Sequence, residues 1–254
     1  MRCSNNRMGL EKGHPAGKLK ILFICDNPGN FKLVEDILTL SGAIDFEIQR
    51  AAGADEALNM LEKDGFNAVL MDMGNAIGKG LHSLKKVADR EQSLPIVILA
   101  ARDDEAAAIT ALQKNAADYL VKERLNGPVL IRSIRYAIER KKTEKILRES
   151  EEDLKRAQAV AQTGSWRLDV RWNELLWSDE TYRIFGIPRG TPMTYEKFLS
   201  SVQFEDRERV DREWQAALRG EPYDIEHRIL VGKKMKWVRE RAELEFDGGG
   251  VLRG

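Results

Sequence analysis

The sequence predicts an α/β fold, a doubly wound five-stranded parallel sheet, followed through a long helix by a smaller α+β domain with an antiparallel sheet. Three observations carry this prediction. Short apolar runs alternate with amphipathic stretches from Leu19 to about Arg140, a charge-dense stretch spans residues 139–156, and after Gly164 short aromatic-rich segments are separated by turn residues. The runs at 19–25, 68–71, 95–100 and 118–121 are too short for helices and nearly continuous in hydrophobicity, as strands buried on both faces are. Residues 46–49 read as a weaker fifth strand. Between these runs, residues 31–40, 53–63, 80–88, 103–114 and the segment from Pro128 onward carry apolar residues at helical spacing. Ligands of such a sheet sit outside the carboxyl ends of its strands.

The last of these helices has no evident stop. Glu144 with Arg148, Glu151 with Lys155 and Glu152 with Arg156 are in the favourable i,i+4 order, which stabilises an exposed helix. Leu147, Leu154 and Ala161 recur at seven, whereas Ile131, Ile134 and Ile138 follow another register. Both a solvated connecting helix and a dimerising coil fit this pattern.

Beyond it, residues 166–170 and 175–178 read as a hairpin, 180–185 as a short helix ended by Gly186 and Pro188, and 195–202 as another helix. Residues 223–231, residues 235–245 and a start at Val251 alternate apolar and polar side chains, the mark of an antiparallel sheet with one buried face. The expected organisation is a tail at 1–18, a first domain at 19–140, a charged helical linker at 141–162 and a second domain at 163–254 whose last strand is incomplete, as in a fragment of a longer protein.

The 254 residues hold 41 Lys plus Arg and 41 Asp plus Glu, for a net charge of +0, so no whole-molecule field attracts nucleic acid or an anionic membrane surface. The 2 cysteines, Cys3 and Cys25, lack metal-type spacing and suit a reducing compartment. The first residues lack an apolar signal core, and no apolar run approaches the ~20 residues that span a bilayer. These features point to a cytoplasmic protein.

Asp26, Asp72 and Lys122 each follow an apolar strand run, where side chains converge on one crevice. Taken singly, each aspartate is an ordinary turn or cap residue. Together, two carboxylates repel unless a cation joins them, and a hard divalent ion such as Mg²⁺ fits oxygen ligands of this type. One carboxylate could then act as nucleophile toward a phosphoryl group, with the lysine ammonium as a point charge on the product.

The segments Ile21-Leu-Phe-Ile-Cys-Asp-Asn-Pro28, Val69-Leu-Met-Asp72-Met-Gly74, Pro95-Ile-Val-Ile-Leu99 and Ala117-Asp-Tyr-Leu-Val-Lys122 resemble the signature strands of two-component receiver domains, which have a flavodoxin-like fold. The resemblance implies that Asp72 is the phosphoacceptor and that Asp26 and the Gly74 carbonyl help hold Mg²⁺. It also implies that Lys122 pairs with the phosphoryl group, that Tyr119 is the aromatic switch, and that the phosphodonor is a histidine kinase or phosphotransfer protein. Departures from the family pattern bear on function. Cys25 replaces the first of two adjacent acidic residues, Ala100 replaces a Ser or Thr, the loop 73–76 lacks a proline, and Glu123 stands where proline usually follows the lysine. Two functions remain open, a phosphate-accepting switch and a phosphorylation-independent docking module.

In the second half, Ser165-Trp-Arg-Leu-Asp169, Trp177-Ser-Asp-Glu-Thr-Tyr-Arg-Ile-Phe-Gly186, Glu205-Asp-Arg-Glu-Arg209, Tyr223-Asp-Ile-Glu-His-Arg228 and Trp237-Val-Arg-Glu-Arg241 resemble a PAS sensory domain. That resemblance implies a five-stranded antiparallel sheet with helices on one face. Trp166, Trp177, Tyr182, Phe185, Phe198 and Trp237 can fill a core unaided. The second domain has no cysteine for a flavin adduct, and neither His227, His82 nor His14 falls where haem-binding relatives place their ligand, so neither cofactor is expected. No phosphoacceptor histidine motif and no ATP-binding box occurs, and Gly248-Gly-Gly250 reads as a hairpin turn. The chain is therefore expected to have no turnover activity beyond self-phosphorylation at Asp72, and to form a homodimer, if any, through the linker helix and second domain.

Overall fold

The computed structural model describes residues 18–42, 45–74 and 77–244, and divides the chain into two compact units, 1–147 and 148–254. In the first unit, β1 (Leu19–Ile24), β2 (Phe46–Ala51), β3 (Ala68–Asp72), β4 (Ile96–Ala100) and β5 (Asp118–Val121) form one parallel sheet in the order β2-β1-β3-β4-β5. The weak apolar signal at 46–49 has a physical reason. It belongs to an edge strand whose residues are mostly half-buried, whereas the central strands β3 and β4 are buried almost throughout.

Alternation along the strands builds two cores, one on each face of the sheet. Leu22, Ile24, Val69, Met71, Ile96 and Ile98 pack against α2 (Ala54–Leu61), α3 (Ile77–Arg90) and α4 (Glu105–Gln113) through Ala57, Leu84, Val87 and Ala111. Ile21, Phe23, Cys25, Leu70, Val97 and Leu99 pack on the other face against Val34 and Leu38 of α1 (Pro28–Ser41) and Leu130 and Ile134 of α5 (Gly127–Ala161). The two registers of α5 now have separate causes. Ile131 and Ile134 face the core shared with α1, whereas Leu147 and Leu154, at 60% and 59% exposure, lie along a face that no described residue covers.

In the second unit, β6 (Trp166–Asp169) pairs with β7 (Glu174–Trp177), and β8 (Tyr223–Val231) with β9 (Lys234–Ala242), as two antiparallel hairpins. Gly232, at φ +61°, makes the two-residue turn between β8 and β9. The strand start at Val251 and the glycine run at 248–250 lie outside the described residues. Helices α6 (Asp179–Phe185), α7 (Tyr195–Ser201) and α8 (Phe204–Ala217) cover one side of the core. Leu168, Leu175, Phe185, Phe198, Trp214 and Ile229 are buried there, and the aromatic rings interlock at centroid separations of 4.6–6.0 Å. Trp166, Trp177, Tyr195, Tyr223 and Glu240 line a residual cavity of about 20 Å³, room for a single water. Trp237, counted from sequence among the core aromatics, lies instead on the surface at 67% exposure, with the Arg228 guanidinium 5.8 Å from its ring centre.

Candidate functional site

The site lies at the carboxyl ends of β1, β3 and β5, as expected of a parallel sheet. Asp72 closes β3 opposite Leu99 of β4, and Lys122 follows β5 and opens a 3₁₀ turn. Lys122 Nζ lies 2.7 Å from Oδ1 and 2.8 Å from Oδ2 of Asp72, whose side chain is only 1% exposed. Gly74 takes the left-handed conformation, φ +59°, and so turns its N–H back to Asp72 Oδ1 at 2.8 Å. Close behind, Gly80 of α3 packs where a Cβ would come within 2.7 Å of Met73 Sδ and 3.0 Å of its carbonyl oxygen.

The loop after β1 supplies the rest. The Cys25 N–H donates to the Ala51 carbonyl, so Cys25 stays tied to the edge strand, 2% exposed. Its thiol donates to the Asn27 carbonyl oxygen at 3.0 Å and lies 3.7 Å from Asp72 Oδ2. Burial, followed by the Asp72 charge, pushes the thiol up to about 11, overriding the opposing hydrogen bond to Asn27, so Cys25 is neutral at physiological pH. Asn27 caps α1 by accepting from the Gly29 N–H, and Pro28 occupies the first helical position. Asp26 is exposed, and its carboxylate has no hydrogen-bond or ion-pair partner among the described residues.

One partner was absent from the sequence reading. Asn30, in the first turn of α1, donates from Nδ2 to Asp72 Oδ2 at 2.7 Å. Its signal was positional, since the third helical residue after an N-cap ordinarily favours an acid, and here it is a neutral amide. Burial works to raise the Asp72 pKa, but the Lys122 ammonium, the Gly74 N–H and the Asn30 amide together hold it below the usual carboxylate range. Asp72 is thus an anion with donors on both oxygens.

The remaining sequence candidates fall around this centre. Ala100 ends β4, buried, with only a methyl group to offer. Tyr119 lies in β5, half-buried, with its hydroxyl donating to the Arg102 carbonyl oxygen at 3.4 Å. Burial and then Asp104 and Asp103 raise its pKa, so the ring stays a neutral donor. Among the described residues no group of three or more acidic, histidine or cysteine side chains gathers as a metal cluster. Asp26, Asp72 and the Gly74 carbonyl are nevertheless hard oxygen donors of the type that hold an Mg²⁺ keeping most of its waters. No helix among the described residues is long and apolar enough to cross a membrane.

The doubly wound sheet with its aspartate anion and bridging lysine, followed by an aromatic-cored α+β unit, agrees with the two domain families that match the chain. The chain carries a response regulator receiver domain, matched over residues 21–135, followed by a PAS fold, matched over 174–253. It is 35% identical over 92 residues to the sensor protein FixL of Bradyrhizobium diazoefficiens, a match covering 35% of this chain and 18% of that one. It is 33% identical over 85 residues to a blue-light-activated histidine kinase of Brucella ovis, covering 33% and 17%. The matched part is therefore under a fifth of these relatives' length. A CheY-like receiver domain of Methanospirillum hungatei aligns at 22% identity and a TM-score of 0.43, over 50% of this chain and 99% of that one.

Proposed function

We propose that the protein relays a phosphoryl signal, accepting the group on Asp72 from a phosphohistidine of a partner histidine kinase or phosphotransfer protein. The observation that carries this reading is the buried Asp72 carboxylate bridged on both oxygens by Lys122. An Asp72 oxygen attacks phosphorus, an acyl-phosphate O–P bond forms, and the N–P bond of the donor breaks with its electron pair returning to the imidazole nitrogen. Lys122 stays as the point charge on the transferred group, and the lowered pKa keeps Asp72 ionised for attack. Asp26, Asp72 and the Gly74 carbonyl would hold Mg²⁺, which when bound neutralises charge on the phosphoryl oxygens. The state passes along α5 to the PAS domain, and the exposed Leu147 and Leu154 support pairing of this helix with a second copy.

The PAS domain works in this reading without haem or flavin. Its packed aromatic side chains leave an interior cavity of about 20 Å³, and it contributes no cysteine for a flavin adduct. The protein then works in the cytoplasm, binding neither nucleic acid nor membrane. In this reading residues 1–254 supply no turnover activity beyond self-phosphorylation at Asp72.

Incubation with Mg²⁺ and acetyl phosphate followed by intact mass measurement tests the relay. One added phosphoryl group, lost in Asp72→Ala, is expected; no addition, or one that persists in Asp72→Ala, overturns it. A docking module that ignores phosphorylation is the alternative, favoured by one observation, the donors already filling both oxygens of Asp72. The absence of any mass increase would select it. Sedimentation with and without beryllofluoride tests the helix pairing, and a monomer in both conditions overturns it.

A further inference from the structure

The carboxylate that should receive both the cation and the phosphoryl group is already held by an amide. Asn30 Nδ2 donates to Asp72 Oδ2 at 2.7 Å, on the same oxygen that the Cys25 thiol approaches at 3.7 Å. Oδ1 is taken by the Gly74 N–H, and Lys122 reaches both. A carboxylate offers about four lone-pair directions, and three donors use them through four contacts, Lys122 reaching both oxygens. A cation can reach an Asp72 oxygen only where one of these donors leaves. Gly74 is fixed by its backbone, and Lys122 compensates the buried charge. Asn30 is the neutral, half-exposed partner, on a side chain with free rotamers.

We propose that Asn30 is a positioning residue that competes with the divalent cation for Asp72 Oδ2, so that cation entry requires the amide to swing away. This rests on the reading of Asp72 as the centre of the site. The position of the residue supports it. An acid in the first turn of α1 would suit the helix dipole, but it would point a like charge at Asp72; the amide instead supplies the positive end of a dipole where Cys25 has taken the place of an acidic neighbour. Without the cation, Asn30 holds the carboxylate in place and lowers its pKa alongside Lys122 and Gly74. The site is thereby kept ordered at low Mg²⁺ and answers only to higher concentrations.

The test measures cation binding to the full chain, using Mn²⁺ as the probe. Free ion is counted by electron paramagnetic resonance, and Asp72→Ala serves as the blank for other acidic surfaces. Asn30→Ala is expected to bind Mn²⁺ on the order of tenfold more tightly than the unaltered chain, the loss of one hydrogen bond to a charged group. Asn30→Asp is expected to bind more tightly still, because it replaces the competitor with a ligand. Affinity in Asn30→Ala equal to or weaker than that of the unaltered chain overturns the proposal, even if Asn30→Asp gains affinity, since an added charge alone explains that gain. Asn30→Ala removes only a half-exposed amide, and its thermal midpoint without metal confirms folding. The outcome is independent of phosphoryl uptake: tighter Mn²⁺ binding with no mass increase from acetyl phosphate would leave Asn30 as competitor and remove the relay.

Discussion

Lys122 Nζ bridges both oxygens of Asp72, at 2.7 and 2.8 Å, and each side chain is largely shielded from water. Breaking such a pair from one side leaves a buried charge uncompensated, so Lys122→Met is expected to destabilise the receiver by about 3 kcal/mol. The pH dependence follows from direction alone. The folded pKa of Asp72 lies below its unfolded value, so the pair's contribution is complete above the unfolded carboxyl pKa and is lost as pH falls through the lower folded one. With Lys122 gone, burial dominates and raises that pKa. The loss of stability on acidification should therefore be smaller in the variant. Thermal midpoints of both proteins at several pH values below about 6 check this; parallel curves would refute it.

A second, part-buried ion pair ties α8 to β8 in the PAS domain. Asp206 accepts from the Arg228 Nε at 3.0 Å, from a terminal guanidinium nitrogen at 2.7 Å and from the Arg228 backbone N–H at 2.9 Å. The guanidinium holds the Asp206 carboxyl far below its usual range despite burial. Asp206→Ala leaves Arg228, with 28% of its side chain exposed, short of its main partner, and is expected to cost about 2 kcal/mol. The wild-type pair contributes above the unfolded carboxyl pKa and weakens only well below it. Tryptophan fluorescence reports this domain alone, because Trp166, Trp172, Trp177, Trp214 and Trp237 all lie in the second unit. An unchanged midpoint in Asp206→Ala would show the pair to be energetically neutral.

Helix α8 shows where the sequence was hard to read. It spans 14 residues dense in charge, and its buried face consists of Asp206, Val210, Trp214 and Ala217, with an acid in the series. Periodicity sees too few apolar residues to register a helix; the pairing of Asp206 with Arg228, which makes the burial tolerable, is visible only in three dimensions. The receiver was legible for the opposite reason. Its central strands are buried on both faces and so read as unbroken apolar runs; Asp72 ends one of them, and Lys122 comes directly after the short edge strand β5. Asn30 escaped because its role depends on where the first turn of α1 lands relative to β3, a relation no local pattern encodes.

Gly74 carries a backbone requirement of its own. At φ +59° its N–H reaches Asp72 Oδ1, and a β-branched side chain there would strain the left-handed backbone by about 1–2 kcal/mol. Gly74→Val is expected to lower the receiver midpoint and to slow phosphoryl uptake, whereas Gly74→Asn, a residue that tolerates this region, should do much less of both. Equal effects from Val and Asn would place the cost in side-chain bulk instead of backbone conformation. Calorimetry and the rate of mass gain with acetyl phosphate provide the two readouts.

The last expectation concerns whether a phosphoryl group, once present, is felt beyond the crevice. A hydroxyl at the end of β4 could follow that group and vacate space for the aromatic residue of β5; here the buried Ala100 offers a methyl, and Tyr119 is held toward the Arg102 carbonyl oxygen. No donor at position 100 links Asp72 to the ring, so the position of Tyr119 should be indifferent to the state of Asp72. With 3-fluorotyrosine incorporated and the Tyr119 resonance assigned through Tyr119→Phe, beryllofluoride is expected to leave that resonance unmoved in the unaltered chain and to shift it in Ala100→Thr. A comparable shift in both would mean that the ring is coupled by another route. The relay to α5 would then run through Tyr119, and not through the Lys122 turn that leads into the helix.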